Sequence, residues 1–162
     1  MILELKNELQ FPEKKSMKGD KVFVDTNIII YAYTVSAEEK HKIAMKIMED
    51  LWISGLGVLS TQVLQEFFAV ATRNIPKPLD IKSAKEIVED FLKWDVVIND
   101  GESILEAIEM HEKHKYSFWD SMIIAAAIKG GCSTLLSEDL IDGQTIDGIE
   151  IKNPFKVRKL GS

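Results

Sequence analysis

At 162 residues, 46% hydrophobic and 28% charged, the chain has the size and composition of one globular domain able to fold without staples. Its single cysteine, Cys132, excludes an internal disulfide and a cysteine-built zinc site, which suits a reducing compartment. A net charge of −6 argues against a polyanionic partner, unless the acids gather where a cation neutralises them.

In chain order, residues 1–20 read as an N-terminal extension, disordered or packed on the domain, with Met17 an alternative start. Its opening "MILELKNELQ" mixes charges among the apolar residues and so has no signal-peptide core. "KVFVD" is a short strand, and a helix follows at once from Thr26 to Tyr33. "SAEEKHKIAMKIMEDLWI" predicts a helix with Ser36 as N-cap, stopped by Gly55 and Gly57. "GVLS" is a second strand and "TQVLQEFFAVATRN" a strongly amphipathic helix, in which Phe67 and Phe68, like Trp52 before them, are assigned to the core. Pro76 and Pro78 mark a corner between helices, after which Asp80 caps a helix over 81–92. "WDVVIN" is a third strand, 101–114 a charged surface helix, and "SFWDSMIIAAAIKGG" a helix apolar nearly all round, hence central. "STLLSED" is a fourth strand and "IEIKNPF" a fifth at the edge; residues 156–162 form a tail. The longest apolar run, "MIIAAAI", is too short to span a bilayer, and the expected location is the cytoplasm.

Strands alternating with helices predict an α/β class fold: a three-layer α/β/α sandwich on a parallel sheet of four to five strands, with right-handed crossovers. In such sheets ligands gather outside the carboxyl ends of the strands. The pattern delivers acids to that edge. Asp25 ends the first strand and Asp139 follows the fourth. Glu66 lies roughly 40° from Val70 and 60° from Val63 around its helix, so it borders the buried face. Asp120 sits in the first turn of the most apolar helix, one turn from Ile123 and Ile124. An unpaired carboxylate there would cost several kcal/mol or shift until neutral, so the cluster asks for a cation. Singly, each acid has an ordinary explanation. Asp25 can be an N-cap, Glu66 a solvated border residue, Asp120 half of a capping box with Ser117, and Asp139 turn chemistry. All four at one edge would be unrelated coincidences.

"VFVDTNIIIYAY", "QVLQEFFAV", "YSFWDSMIIAAA" and "LLSEDLIDGQTIDGIEIKNPF" together resemble the successive motifs of PIN-domain nucleases, particularly the VapC-type toxins of toxin–antitoxin pairs. The resemblance places a PIN domain over residues 21–155. It implies that Asp25, Glu66, Asp120 and Asp139 form an acidic quartet holding magnesium or manganese, with Asn27 and Ser137 orienting acids or their waters. Glu138 and Asp142 compete with Asp139 for the fourth motif; Asp139 fits the pattern of Ser or Thr, any residue, then Asp.

Chemistry agrees with that ligand choice: an oxygen-only cluster suits Mg²⁺ or Mn²⁺ better than zinc. His41, His111 and His114 fall on charged helices away from the acids. The expected reaction is hydrolysis of RNA phosphodiester bonds by water that a divalent ion acidifies. The resemblance implies single-stranded or loop RNA as substrate, 5′-phosphate and 3′-hydroxyl products, a homodimer and a cognate antitoxin. Lys40, Lys42, Arg73, Lys77 and the tail "KVRK" are backbone-contact candidates, although a solvated surface explains each. Two other functions stand beside this one: a catalytically silent PIN-like module that binds RNA or protein, and a haloacid-dehalogenase-like phosphatase. The phosphatase would want an acid two residues after Asp25, where this chain has Asn27.

Overall fold

The computed structural model describes residues 20–156. Most of the N-terminal extension and of the C-terminal tail, "KVRK" included from Val157 on, lies outside the described residues. The order of elements is β1 (Lys21–Val24), α1 (Thr26–Ala32), a 3-10 turn (Val35–Ala37), α2 (Glu39–Ser54), β2 (Gly57–Ser60), α3 (Thr61–Ala71) and α4 (Ile81–Phe91). It continues with β3 (Asp95–Val97), α5 (Gly101–His114), α6 (Phe118–Lys129), β4 (Cys132–Leu136), β5 (Thr145–Ile146) and β6 (Ile149–Lys152).

One sheet runs β3-β2-β1-β4-β6-β5, parallel throughout except for β5, which pairs antiparallel with β6. The sheet therefore has six strands rather than four or five, and "IEIKNPF" supplies an inner strand. The edge belongs to β5, a two-residue strand too short for a hydropathy pattern to mark. Right-handed crossovers from β1 to β2 and from β2 to β3 put α1–α4 on one face. The return from β3 to β4 crosses the other face through α5 and α6. The direction in which successive strands are added to the sheet thus reverses between β1 and β4, which run parallel with Val24 paired to Leu136. That reversal is the topological switch point, the usual place for a ligand in an open α/β sheet.

The core follows from composition. Phe23, Val24, Leu59 and Leu135 on the inner strands are inaccessible to solvent. In α6 every residue from Ser121 to Ala127 is buried, because sheet lies on one side of it and α5 on the other. Beneath α2–α4, Phe91 packs edge-on against Trp52, Phe67 and Trp94. Gly57 makes room for that cluster: a Cβ there would stand 2.2 Å from the Trp94 ring.

Two local expectations change. Ser36 does not cap α2; it lies in the 3-10 turn, and the helix starts after Glu38, whose φ of 53° turns the chain. Phe68 is 37% exposed and not core. It sits one residue past the buried Phe67 and, with Leu64, Gln65, Lys85 and Val88, lines a surface groove between α3 and α4 of about 380 Å³. Among the described residues no helix is long and apolar enough to cross a membrane.

Candidate active site

Asp25 leaves β1 just as the strand ends and is only 6% exposed. It is the N-cap of α1, its Oδ1 accepting from the Thr26 N–H at 2.7 Å. Its other oxygen accepts from the Ser137 hydroxyl at 2.7 Å. Ser137, fully buried, comes directly after β4, the strand beside β1, so the switch point itself brings donor and acid together. The cap reading of Asp25 holds, and the same carboxylate lies within electrostatic reach of Glu66 and Asp139.

Ser137 also accepts from the Asp139 N–H at 3.1 Å, linking two of the predicted acids. Asn27 secures the same loop with both ends of its amide. Its Nδ2 donates to Asp139 Oδ2 at 2.9 Å, and its Oδ1 accepts from the Glu138 N–H at 3.4 Å. Glu66 is half-buried on α3, and each of its oxygens has a neutral donor. Thr26 Oγ1 lies 2.6 Å from Oε2, and Gln62 Nε2 lies 2.8 Å from Oε1. Asp120 occupies the first turn of α6, where its N–H donates to Ser117 Oγ at 3.1 Å, closing the helix cap.

The acids feel one another. Burial pushes the Asp25 carboxyl up to about 6; Ser137 and the Thr26 N–H oppose this, while the charges of Glu66 and Asp139 add to it. Burial likewise raises Asp120, with Ser117 opposing and the charges of Asp139 and Glu66 adding. Among the described residues no lysine, arginine or histidine forms an ion pair with any of the four. The competing acids of the fourth motif are engaged elsewhere. Glu138 pairs with Lys40 at 2.7 Å, which removes Lys40 from the free backbone-contact candidates, and Asp142 accepts from the Asn153 N–H at 2.8 Å. His41 and His111 face the main-chain oxygens of Tyr31 and Tyr116.

Among the described residues, no three Asp, Glu, His or Cys side chains already converge as a metal cage. That is compatible with a hard ion. Magnesium keeps several waters and takes one or two carboxylates directly, whereas a structural zinc site would need its ligands closed around it. Carboxylates that feel one another's charge, none of them ion-paired among the described residues, fit the first kind of ion better than the second. Thr26 and Gln62 were not legible as site residues. The available signal was position alone: Thr26 adjoins Asp25, and Gln62 lies one helical turn before Glu66.

Residues 22–141 match the PIN domain family, and the chain belongs to it. The nucleases of that family generally use divalent metal ions. No curated protein matches the sequence. Solved structures do share the fold. A chain from a toxin–antitoxin complex of Klebsiella pneumoniae is 14% identical, with a TM-score of 0.63 over 85% of this chain and 100% of that one. A sarcin–ricin-loop-cleaving VapC toxin of Mycobacterium tuberculosis is 21% identical, with a TM-score of 0.54 over 71% of this chain and 87% of that one. A chain of DNA-bound VapBC from Salmonella typhimurium is 20% identical, with a TM-score of 0.59 over 84% of this chain and 99% of that one.

Proposed function

We propose that this chain is a divalent-metal-dependent endoribonuclease and the toxin half of a cytoplasmic toxin–antitoxin pair. The observation that supports this most is that Asp25 and Asp120, from separate segments, both feel the charges of Glu66 and Asp139, and that among the described residues none of the four has an ion-paired base. Fold likeness to VapC chains, among them one that cleaves the sarcin–ricin loop, points the same way.

The four carboxylates would hold Mg²⁺ or Mn²⁺. When bound, the ion supplies positive charge to the scissile phosphate and acidifies water for attack on phosphorus. The protein's own part is to keep carboxylates ionised and aimed. Ser137 and the Thr26 N–H hold Asp25, Asn27 holds Asp139, and Ser117 caps the turn that carries Asp120. Water adds to phosphorus, the bond to the 3′ oxygen breaks and that oxygen takes a proton, leaving a 5′-phosphate and a 3′-hydroxyl. Unpaired RNA suits the recessed position of Asp25, because its backbone bends into a pocket that stiff duplex cannot enter. A homodimer and an antitoxin whose tail covers the acids complete the reading; the toxin–antitoxin assemblies among the fold neighbours support an antitoxin partner.

The test is cleavage of a single-stranded RNA and of a stem–loop in Mg²⁺ and in Mn²⁺, with a phosphomonoester as control. Wild type should cut RNA only with metal and leave the monoester intact, and Asp25→Asn should be inactive. An Asp25→Asn protein as fast as wild type would remove the catalytic assignment. Monoester hydrolysis would favour the phosphatase, and metal binding without any cleavage would favour the silent module.

A further inference from the structure

The Gln62 side-chain amide is 5% exposed and lies between two acid-bearing helices. Its Nε2 donates to Glu66 Oε1 at 2.8 Å, one turn along α3, and to the main-chain oxygen of Trp119 at 3.3 Å. Trp119 immediately precedes Asp120. Both partners are acceptors only, so the NH₂ end must face them, and the orientation of the amide is settled by the network. The consequence is an orphan: Gln62 Oε1 is buried and has no donor among the described residues.

A buried acceptor without a donor is unfavourable, and an apolar side chain of similar length would remove it. Packing alone therefore favours leucine or methionine at this position. The amide's distinctive contribution is its pair of donated hydrogens. One fixes a carboxylate oxygen of Glu66, whose other oxygen is held by Thr26 Oγ1 at 2.6 Å. The other hydrogen ties that carboxylate to the backbone beside Asp120. Neutral donors orient an acid without neutralising it, so its charge stays available to a cation.

Resting on the metal-site reading above, we propose that Gln62 is a positioning residue that sets Glu66 and the start of α6 at the spacing a divalent ion requires. It acts through Glu66 and touches neither metal nor RNA. Thr26 is the second, independent holder of the same carboxylate.

The experiment measures Mn²⁺ affinity calorimetrically on the full chain, alongside the melting temperature in chelator, for wild type, Gln62→Met and Thr26→Val. Donors behind a ligand typically contribute about 10–100-fold in metal affinity, so Gln62→Met should bind Mn²⁺ at least about tenfold more weakly. Its metal-free melting temperature should stay within a few degrees of that of wild type, because loss of the orphan oxygen offsets loss of the two donated hydrogen bonds. Cleavage by this variant should recover at high Mn²⁺, with KM for RNA unchanged. Thr26→Val should weaken Mn²⁺ in the same direction. Affinity within about twofold of wild type in Gln62→Met would overturn the proposal. So would a metal-free protein that melts markedly lower or fails to fold, since the amide would then be structural. Wild type that binds Mn²⁺ yet leaves RNA intact refutes the nuclease reading while Gln62 is still judged on affinity. Wild type that binds no Mn²⁺ overturns both.

Discussion

Asp90 and Asp25 are 4% and 6% exposed, and the fold treats them differently. Asp90, at the end of α4 near the aromatic cluster, has Lys93 at 3.2 Å, three residues further along the chain. Asp25 has a hydroxyl, an N–H and the charges of two other acids. A buried acid that serves packing brings its cation in the same stretch of sequence. On the function proposed above, a buried acid left with neutral donors and like charges awaits a cation from outside.

The exchange of Asp for Asn at the two positions is the sharpest way to break this comparison. Asp25→Asn should lower RNA cleavage by on the order of a thousandfold or more, since it removes a carboxylate from the ion and about 4 kcal/mol from transition-state stabilisation. Asp90→Asn should leave the rate per folded molecule unchanged. Initial rates in Mg²⁺, normalised to folded protein by circular dichroism, decide it; equal losses at both positions would erase the distinction.

How much of this distinction was legible in the sequence depends on the range of the interaction that creates it. Alternating strand and helix signals gave the layers, and the all-round apolar character of α6 gave its central place, because both are local patterns. Asp25 was visible for the same reason, as an acid at the end of an apolar strand. Ser137 holding Asp25 and Asn27 holding Asp139 each join residues 112 positions apart, and Thr26 reaches Glu66 across 40. The family resemblance pointed to Asn27 and Ser137; nothing in the local pattern pointed to Thr26 or Gln62. Periodicity also cannot say what covers a helix face, so it does not distinguish the buried Phe67 from the exposed Phe68. The pairing of Glu138 with Lys40, 98 positions away, is likewise beyond the reach of any local pattern.

A second consequence concerns pH. Asp25 titrates at about 6 in the fold against an ordinary value of 3.8. Between those values the folded protein binds more protons than the unfolded chain, so this group's contribution to stability is present at low pH and is lost as pH rises through the window. The loss is at most about 3 kcal/mol. In chelator, Asp25→Asn should therefore melt above wild type near neutral pH, and the gap should close as the pH falls toward the ordinary carboxylate range. Saturating Mg²⁺ should narrow the gap at neutral pH by stabilising the ionised wild-type pocket. A gap independent of both pH and metal would mean that Asp25 is not held as an uncompensated acid.

Asp90→Asn offers a smaller effect of a different kind. Removing a charged acceptor paired with the mostly exposed Lys93 should cost about 1–2 kcal/mol, seen as a fall of a few degrees in melting temperature. The fall should not respond to Mg²⁺. A metal-sensitive melting change would place Asp90 in electrostatic contact with the ion site and contradict its structural assignment.

The smallest expected change comes from Lys40→Met. Lys40 connects to the acid edge, since it pairs with Glu138, the neighbour of Asp139, and lies 5.0 Å from the centre of the Tyr31 ring. If its charge offset the quartet, removing it would change Mg²⁺ dependence strongly. The hydrogen bonds say otherwise. Asp139 is held by Asn27 and Ser137, and the Glu138 N–H is oriented by Asn27, with no contribution from Lys40. An ion pair that water still reaches on both sides is also weak in itself. Lys40→Met should therefore shift the Mg²⁺ concentration for half-maximal cleavage by less than about twofold. A tenfold shift would show that the acid edge does have a resident cation after all, and the contrast between Asp25 and Asp90 would become one of degree.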